Sequence, residues 1–241
     1  MKRKVVFSIL FFLAPLVAFS QPKFLWKTSM VQAAPGKLLE LIDLYKTRFA
    51  ADSANGEPRP FWMRHAQGDK WDLLILFPVG NYSEYYAADR VKRRENMQHT
   101  ALRSQIKEAT AWQEDIFVYG PAPEEIRKRF SGASFFHLEI FIALAGKAEE
   151  LYKEREMENM YGKALKRPEN FVFVRDQGAA WDLFTLGGYR DLKHYAESAD
   201  ISQADQDAAA KSAGFEAANK IGPYLRTFIR EHHDTLCSIV K

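Results

Sequence analysis

Few residues in this 241-residue chain could carry chemistry: six histidines, one cysteine and no nucleophile motif. His137-Leu138-Glu139 is the most pointed arrangement. On a strand, residues two apart share a face, so an imidazole and a carboxylate would reach one small ligand together, as an acid/base pair or as ligand-positioning groups. Glu231-His232-His233-Asp234 is the densest ionisable run. Neighbouring histidines on a strand point to opposite faces, so His232 and His233 cannot both hold one ion, and no metal site is expected. Phosphate-cradling Gly-rich loops, Gly-x-Ser-x-Gly, His-Glu-x-x-His and paired Cys motifs are missing. Nucleotide-dependent and serine-hydrolase mechanisms are thereby disfavoured.

The elements that must position these residues show themselves through a repeat. Gln67-Gly68 followed by Trp71-Asp72-Leu73 recurs as Gln177-Gly178 followed by Trp181-Asp182-Leu183, at an offset of 110 residues. The same offset matches Ala33, Gly36, Lys37, Glu40 and Leu41 with Ala143, Gly146, Lys147, Glu150 and Leu151. Two copies suit a pseudo-symmetric pair better than a solenoid, which needs at least about three units. Within a copy, Phe24–Ala33 is extended, and Leu38, Leu41, Ile42, Tyr45 and Phe49 recur at helical spacing. Phe61–Gln67 and Trp71–Phe77 form a hairpin, a second helical region opens at Asn81 or Ser83, and Asp115–Tyr119 is a last strand. The second copy repeats the order, with a final strand expected at Tyr224–Glu231. The order βαββαβ, twice, predicts an α+β chain of two tandem ferredoxin-like repeats. The boundaries read 21–120 for the first repeat, 121–133 for a linker and 134–241 for the second.

Residues 1–20 read as a signal peptide. Lys2, Arg3 and Lys4 precede an apolar run of about 15 residues, short of the ~20 that span a bilayer, and Ala18-Phe19-Ser20 supplies a cleavage pattern before Gln21. The chain is therefore expected to be exported, soluble and without a stable membrane anchor. The net charge of +3 is carried by that leader; residues 21–241 hold 31 basic and 31 acidic side chains, which is no footprint for nucleic acid. Cys237 stands alone, so no intrachain disulfide forms.

Strands such as Leu73-Leu74-Ile75-Leu76 are apolar on both faces, so each sheet must be covered on both sides. Packing the two sheets on each other gives a fused α/β barrel with helices outside. If the polar strand faces line its interior, Lys27, His65, His137, Glu139, Arg175 and Arg230 converge on one patch. There His137, Glu139 and His65 would be catalytic, and Lys27, Arg175 and Arg230 would bind ligand. A salt-bridge network that docks the two halves is the competing reading of that patch. Trp71 and Trp181 read as core anchors or ligand platforms, and Tyr85 and His194 as an aromatic row on the second helical regions.

The doubled Trp-Asp-Leu strands and the aromatic helix starts Tyr82–Tyr86 and Tyr189–Tyr195 resemble the dimeric α/β-barrel superfamily. It includes NIPSNAP-like, EthD-like and antibiotic-biosynthesis-monooxygenase-like proteins. The resemblance covers nearly all of the chain after the leader and implies the fused barrel. Because the superfamily holds oxygenases, haem-binding enzymes and proteins without assigned activity, it implies no single reaction. Haem would be the cofactor to test, with His194 as its helix-borne ligand. The expectation is a protein that binds a small apolar or aromatic ligand, in a helix–sheet cleft or the barrel interior. A cofactor-light monooxygenase or haem-handling enzyme and a ligand-free assembly protein are the alternatives, and a homo-oligomer is compatible with each.

Overall fold

The computed structural model describes residues 24–98 and 101–240, so the leader and His99 lie outside the described residues. The first half runs β1 (Phe24–Ala33), α1 (Leu38–Ala54), β2 (Phe61–Gln67), β3 (Leu73–Gly80), α2 (Tyr82–Tyr85), α3 (Ala88–Gln98), α4 (Ala101–Glu108) and β4 (Thr110–Gly120). A short helix, α5 (Pro123–Arg129), occupies the connection. The second half runs β5 (Phe135–Ala143), α6 (Ala148–Ala164), β6 (Phe171–Gln177), β7 (Leu183–Tyr189), α7 (Leu192–Ala196), α8 (Gln203–Ser212), α9 (Ile221–Leu225) and β8 (Ile229–Ile239). Among the described residues no helix is long and apolar enough to cross a membrane.

Each half orders its strands 4-1-3-2, as a ferredoxin-like repeat does. The free edges then pair across the halves, β2 with β8 and β4 with β6, closing an antiparallel eight-stranded barrel. The repeated Gln-Gly pairs belong to this closure. Gly68, at φ +124°, lies on the backbone of Asp234 and Thr235, and Gly178, at φ +89°, lies on Asp115 and Ile116. A Cβ at Gly68 would overlap the Asp234 carbonyl, so only glycine fits there.

The barrel interior is filled. Trp26, Met30, Met63, Leu74, Leu76, Phe136, Leu138, Ile140, Phe173, Phe184 and Leu186 form one buried cluster, with Trp71 and Trp181 in it. Phe173 and Phe184 stack at 4.5 Å, with the edge of Trp26 against Phe173. The opposite strand faces carry the helices. Val31, Leu73 and Ile75 pack with Leu41, Tyr45 and Phe49 of α1, while Phe141, Val172 and Leu183 pack with Leu151 and Tyr152 of α6.

Several boundaries differ from those expected, and β4 begins at Thr110 rather than Asp115. Trp71-Asp72 and Trp181-Asp182 precede β3 and β7 rather than opening them. Their carboxylates are occupied by backbone: Asp72 Oδ2 accepts from the Ala33 amide and Asp182 Oδ2 from the Ala143 amide, each at 2.8 Å. The last strand is not Tyr224–Glu231. Tyr224 lies in α9, and β8 runs through the charged stretch to Ile239, paired with β5 from Ala143↔Ile229 to Phe135↔Ser238. Charge hid the strand: His232 and Asp234 lie on the outer face, and Glu231 and His233, which share the parity of buried Thr235 and Cys237, are exposed.

The filled interior sets a stability test. Phe184→Ala should destabilise the protein by ~3–5 kcal/mol in urea unfolding, since the ring leaves a cavity among aromatic neighbours. Leu39→Ala, 69% exposed on α1, should stay within about 0.5 kcal/mol.

Candidate functional site

The barrel places the expected site residues on different surfaces, so the six-residue patch does not form. His65 faces inward, its ring 5.8 Å from Trp71 with Nε2 buried and unpartnered. Arg175 binds Asp182 at 2.9 Å, and Arg230 is exposed beside Glu231. Trp71 and Trp181 are core side chains with unpartnered indole N–H groups. Lys27, His137 and Glu139 point outward, under the helices, because the more apolar alternate residues of β1 and β5 take the interior.

The outward face supports one constellation twice. In the first half, Lys27 Nζ lies 2.8 Å from Asp115 Oδ2, while Ser29 Oγ and Gln113 Nε2 donate to Asp115 Oδ1 at 2.5 and 2.8 Å. The cross-strand pairs Ser29↔Asp115 and Glu139↔Asp234 make Asp234 the counterpart of Asp115. By that register His137 stands for Lys27, Glu139 for Ser29 and His232 for Gln113. His137 Nε2 lies 3.2 Å from Asp234 Oδ1, and His232 Nε2 lies 3.2 Å from Asp234 Oδ2. Glu139 accepts from the Thr185 hydroxyl at 2.9 Å. One ligand atom each from His137, Glu139 and Asp234 falls within 4.8 Å of the others.

The walls differ too. Lys27 is flanked across the sheet by Phe77 and Phe117, whereas His137 is flanked by Gly187 and Leu236. Two phenyl rings are thus absent beside His137. A Cβ on Gly187 would meet the Asn170 side-chain oxygen, which is buried and unpartnered, and the Tyr189 ring. Tyr195 closes the other side, its ring 5.3 Å from His137 and 5.6 Å from Phe135. Beyond Glu139, Arg155 of α6 lies 3.9 Å away and is committed to Glu154 and Glu158. Its guanidinium also covers Phe141, on which His232 stacks.

Electrostatics follows this geometry. Burial would push the His137 imidazole down, but the Asp234 hydrogen bond and the charges of Glu139, Asp234 and Glu158 outweigh it and raise it. The hydrogen bond from His137 holds Asp234 below the usual carboxylate range. Burial pushes Tyr189 up to about 12 and also raises Tyr195. Burial pushes Glu154 up to about 7, although Arg155 beside it works the other way.

His194 sits apart. Its Nδ1 takes the Arg190 amide hydrogen at 3.2 Å, its Nε2 faces Glu197 at 3.9 Å, and its ring packs against Tyr189. The Nε2 contact is too long for a hydrogen bond, and His194 is not the counterpart of Tyr85. The helix caps Asn81 and Asp191 align Tyr85 with Tyr195, and Tyr85 packs on Phe117 under Arg94. Asp234 and His232 are the site residues that sequence reasoning passed over. Their alternation with His233 was visible; the pairing of β8 with β5, 97 residues from His137 to Asp234, was not.

No family model and no curated protein matches the chain. Among solved structures it is similar to an anthrone oxidase-like protein (TM-score 0.56, 12% identity, covering 91% of this chain and 92% of that one). A provisionally assigned monooxygenase from Fusobacterium nucleatum subsp. nucleatum gives TM-score 0.53 at 10% identity, covering 92% and 94%. A provisionally assigned chlorite dismutase gives 0.51 at 9% identity, covering 91% and 96%. At these identities the likeness is one of fold, and the fold is the fused dimeric α/β barrel.

Glu154 gives a pH test with a definite sign. A carboxyl raised to about 7 in the folded state binds more protons there than in the unfolded chain, where it titrates near ~4.3. Its contribution to stability is therefore full below the unfolded value and is lost as pH rises toward 7. Glu154→Gln should gain on the order of 1–3 kcal/mol over the parent at pH 8 and converge with it near pH 4. Urea unfolding across that range checks this, and parallel curves for the two proteins would show Glu154 ionised throughout.

Proposed function

We propose that the chain binds a small hydroxylated aromatic molecule against the helix-facing surface of its second half, and that this surface is the working site of an oxygenase-type enzyme. The observation that carries this reading is the asymmetry between equivalent positions. Where the first half is closed by Lys27, Phe77 and Phe117, the second half offers His137, Gly187 and Leu236. Imidazole and carboxylate can orient a hydroxyl, while Tyr195, Tyr189 and Phe135 supply apolar wall. The barrel interior is packed with side chains, which leaves the helix–sheet layer as the place for a ligand. The oxidase-like and monooxygenase neighbours support oxygen chemistry by likeness of fold alone.

A thermal-shift screen of hydroxylated naphthalenes and anthrones, followed by oxygen-electrode turnover of each hit, tests the reading. The melting temperature should rise with a hit in the parent and in Lys27→Ala. The shift should shrink in Gly187→Ala, whose Cβ would displace the Asn170 side chain and the Tyr189 ring, and in His137→Gln. An equal shift in all four proteins would place binding elsewhere. Binding without oxygen uptake would leave a binding protein and remove the enzyme.

A further inference from the structure

We infer that His137, Glu139 and Asp234 hold one divalent first-row transition-metal cation, with His232, Thr185 and Arg155 around them; this rests on the second-half surface being the working site. The cross-strand register supplies the first reason. Glu139 stands directly opposite Asp234, and like charges in that position repel. The equivalent position in the first half avoids this with Ser29, whose hydroxyl donates to Asp115.

Charge over the whole layer is the second reason. Glu139, Glu154, Glu158 and Asp234 gather around a single guanidinium, Arg155, and two imidazoles. The positions that correspond by the repeat in the first half hold Ser29, Leu44, Arg48 and Asp115, with Lys27 and Tyr45 beside them. The first half therefore sets two cationic side chains against two carboxylates, Asp115 and the Arg48-bound Asp52, whereas the second sets four carboxyl groups against one permanent cation. Arg155 does not make up the difference at Glu139: it stands 3.9 Å away and binds Glu154 and Glu158 at 2.5 and 2.7 Å.

The third reason is orientation. Metal-ligating side chains are usually held by outer partners, and both carboxylates here are. His232 Nε2 holds the second oxygen of Asp234, and the Thr185 hydroxyl holds Glu139. The ligand atoms already lie within 4.8 Å of one another, so a small contraction brings them to one ion. One imidazole and two carboxylates form a mixed N/O set suited to Mn²⁺, Fe²⁺, Co²⁺ or Zn²⁺ rather than to the all-oxygen shells of Ca²⁺. Three protein ligands leave coordination positions for a hydroxyl or carbonyl oxygen of a substrate.

The test uses the full-length protein after chelator treatment, titrated with Co²⁺ by visible absorbance and with Mn²⁺ by electron paramagnetic resonance. One equivalent should bind per chain, with Zn²⁺ displacing Co²⁺. His232→Asn should lower affinity ~10- to 100-fold, as loss of an outer partner does. His137→Gln and Glu139→Gln should lower it further, and His233→Ala, on the opposite strand face, should leave it unchanged. Glu139→Gln removes the like-charge opposition, so it should fold at least as stably as the metal-free parent and keep the comparison interpretable. Absence of stoichiometric Co²⁺ and Mn²⁺ binding at millimolar ion, or binding unaffected by His137→Gln and Glu139→Gln, would overturn the cation. Should aromatic ligands still shift the melting temperature in that case, the ligand site stands without a metal. A bound ion with no aromatic binding would support the cation and overturn the ligand site.

Discussion

Closure of the barrel depends on two backbone approaches, Gly68 onto Asp234–Thr235 and Gly178 onto Asp115–Ile116. Each hairpin is pressed against the terminal strand of the other half, at the aspartate that anchors the polar constellation on the outer face. The contact does two things at once. It closes the free edges of two four-stranded sheets that would otherwise be open to foreign strands. It also fixes the backbone of Asp115 and Asp234, so that each carboxylate meets the first strand of its own half in a set register. The aromatic filling follows from the same closure, since a barrel of eight strands encloses just enough space for its own side chains.

Both halves fill the interior with apolar side chains, and their polar groups differ most in the layer between strands and helices. There the first half settled on a compact solution: one aspartate satisfied by an ammonium, a hydroxyl and an amide, beneath Phe77, Phe117 and Tyr85. Every polar group in that set has a partner. The second half instead buries Glu154 and Arg155 almost completely and keeps an unpartnered oxygen on Glu154 and on Asn170. Buried charge of this kind rarely adds stability, because desolvation offsets the attraction. The first half holds its largely buried pair, Arg90 and Glu57, away from its Asp115 constellation, whereas the second gathers Glu154, Glu158 and Arg155 beside Glu139.

The fold was legible from sequence because it is written twice. An offset of 110 residues aligned the hairpins, the helix starts and the Trp-Asp pairs, and apolar runs on both strand faces required a second covering layer. The site was legible only in part. Residues two apart on β5 put His137 and Glu139 on one face correctly, but which face enters the barrel depends on bulk: Trp26, Met30, Phe136 and Leu138 take the interior and exclude Lys27, His137 and Glu139 from it. His65 and Arg175 share the inward parity of Met63 and Phe173, so equal standing on different strands did not mean a common destination. Asp234 and His232 were hidden for another reason. Their strand reads as a charged tail until it is paired with β5, and pairing is a long-range property that local pattern does not encode.

The two halves also divide their energetic roles. A charged, incompletely satisfied helix–sheet layer would weaken a lone ferredoxin-like unit, whose sheet needs cover on both faces. Here the interior is shared, so Phe173 and Phe184 of the second half pack with Trp26 of the first. The apolar α1 layer, with Leu41, Tyr45 and Phe49, stabilises a barrel whose other half carries the ionisable groups. Because closure couples the halves through β2–β8 and β4–β6, stability gained in one is available to both. Duplication in a single chain permits what a symmetric dimer of identical chains does not: one copy can keep Lys27, Phe77 and Phe117 for packing while the other gives up those contacts to His137, Gly187 and Leu236. The proposed site accordingly occurs once per barrel, in the half whose helix–sheet layer is rich in carboxyl groups.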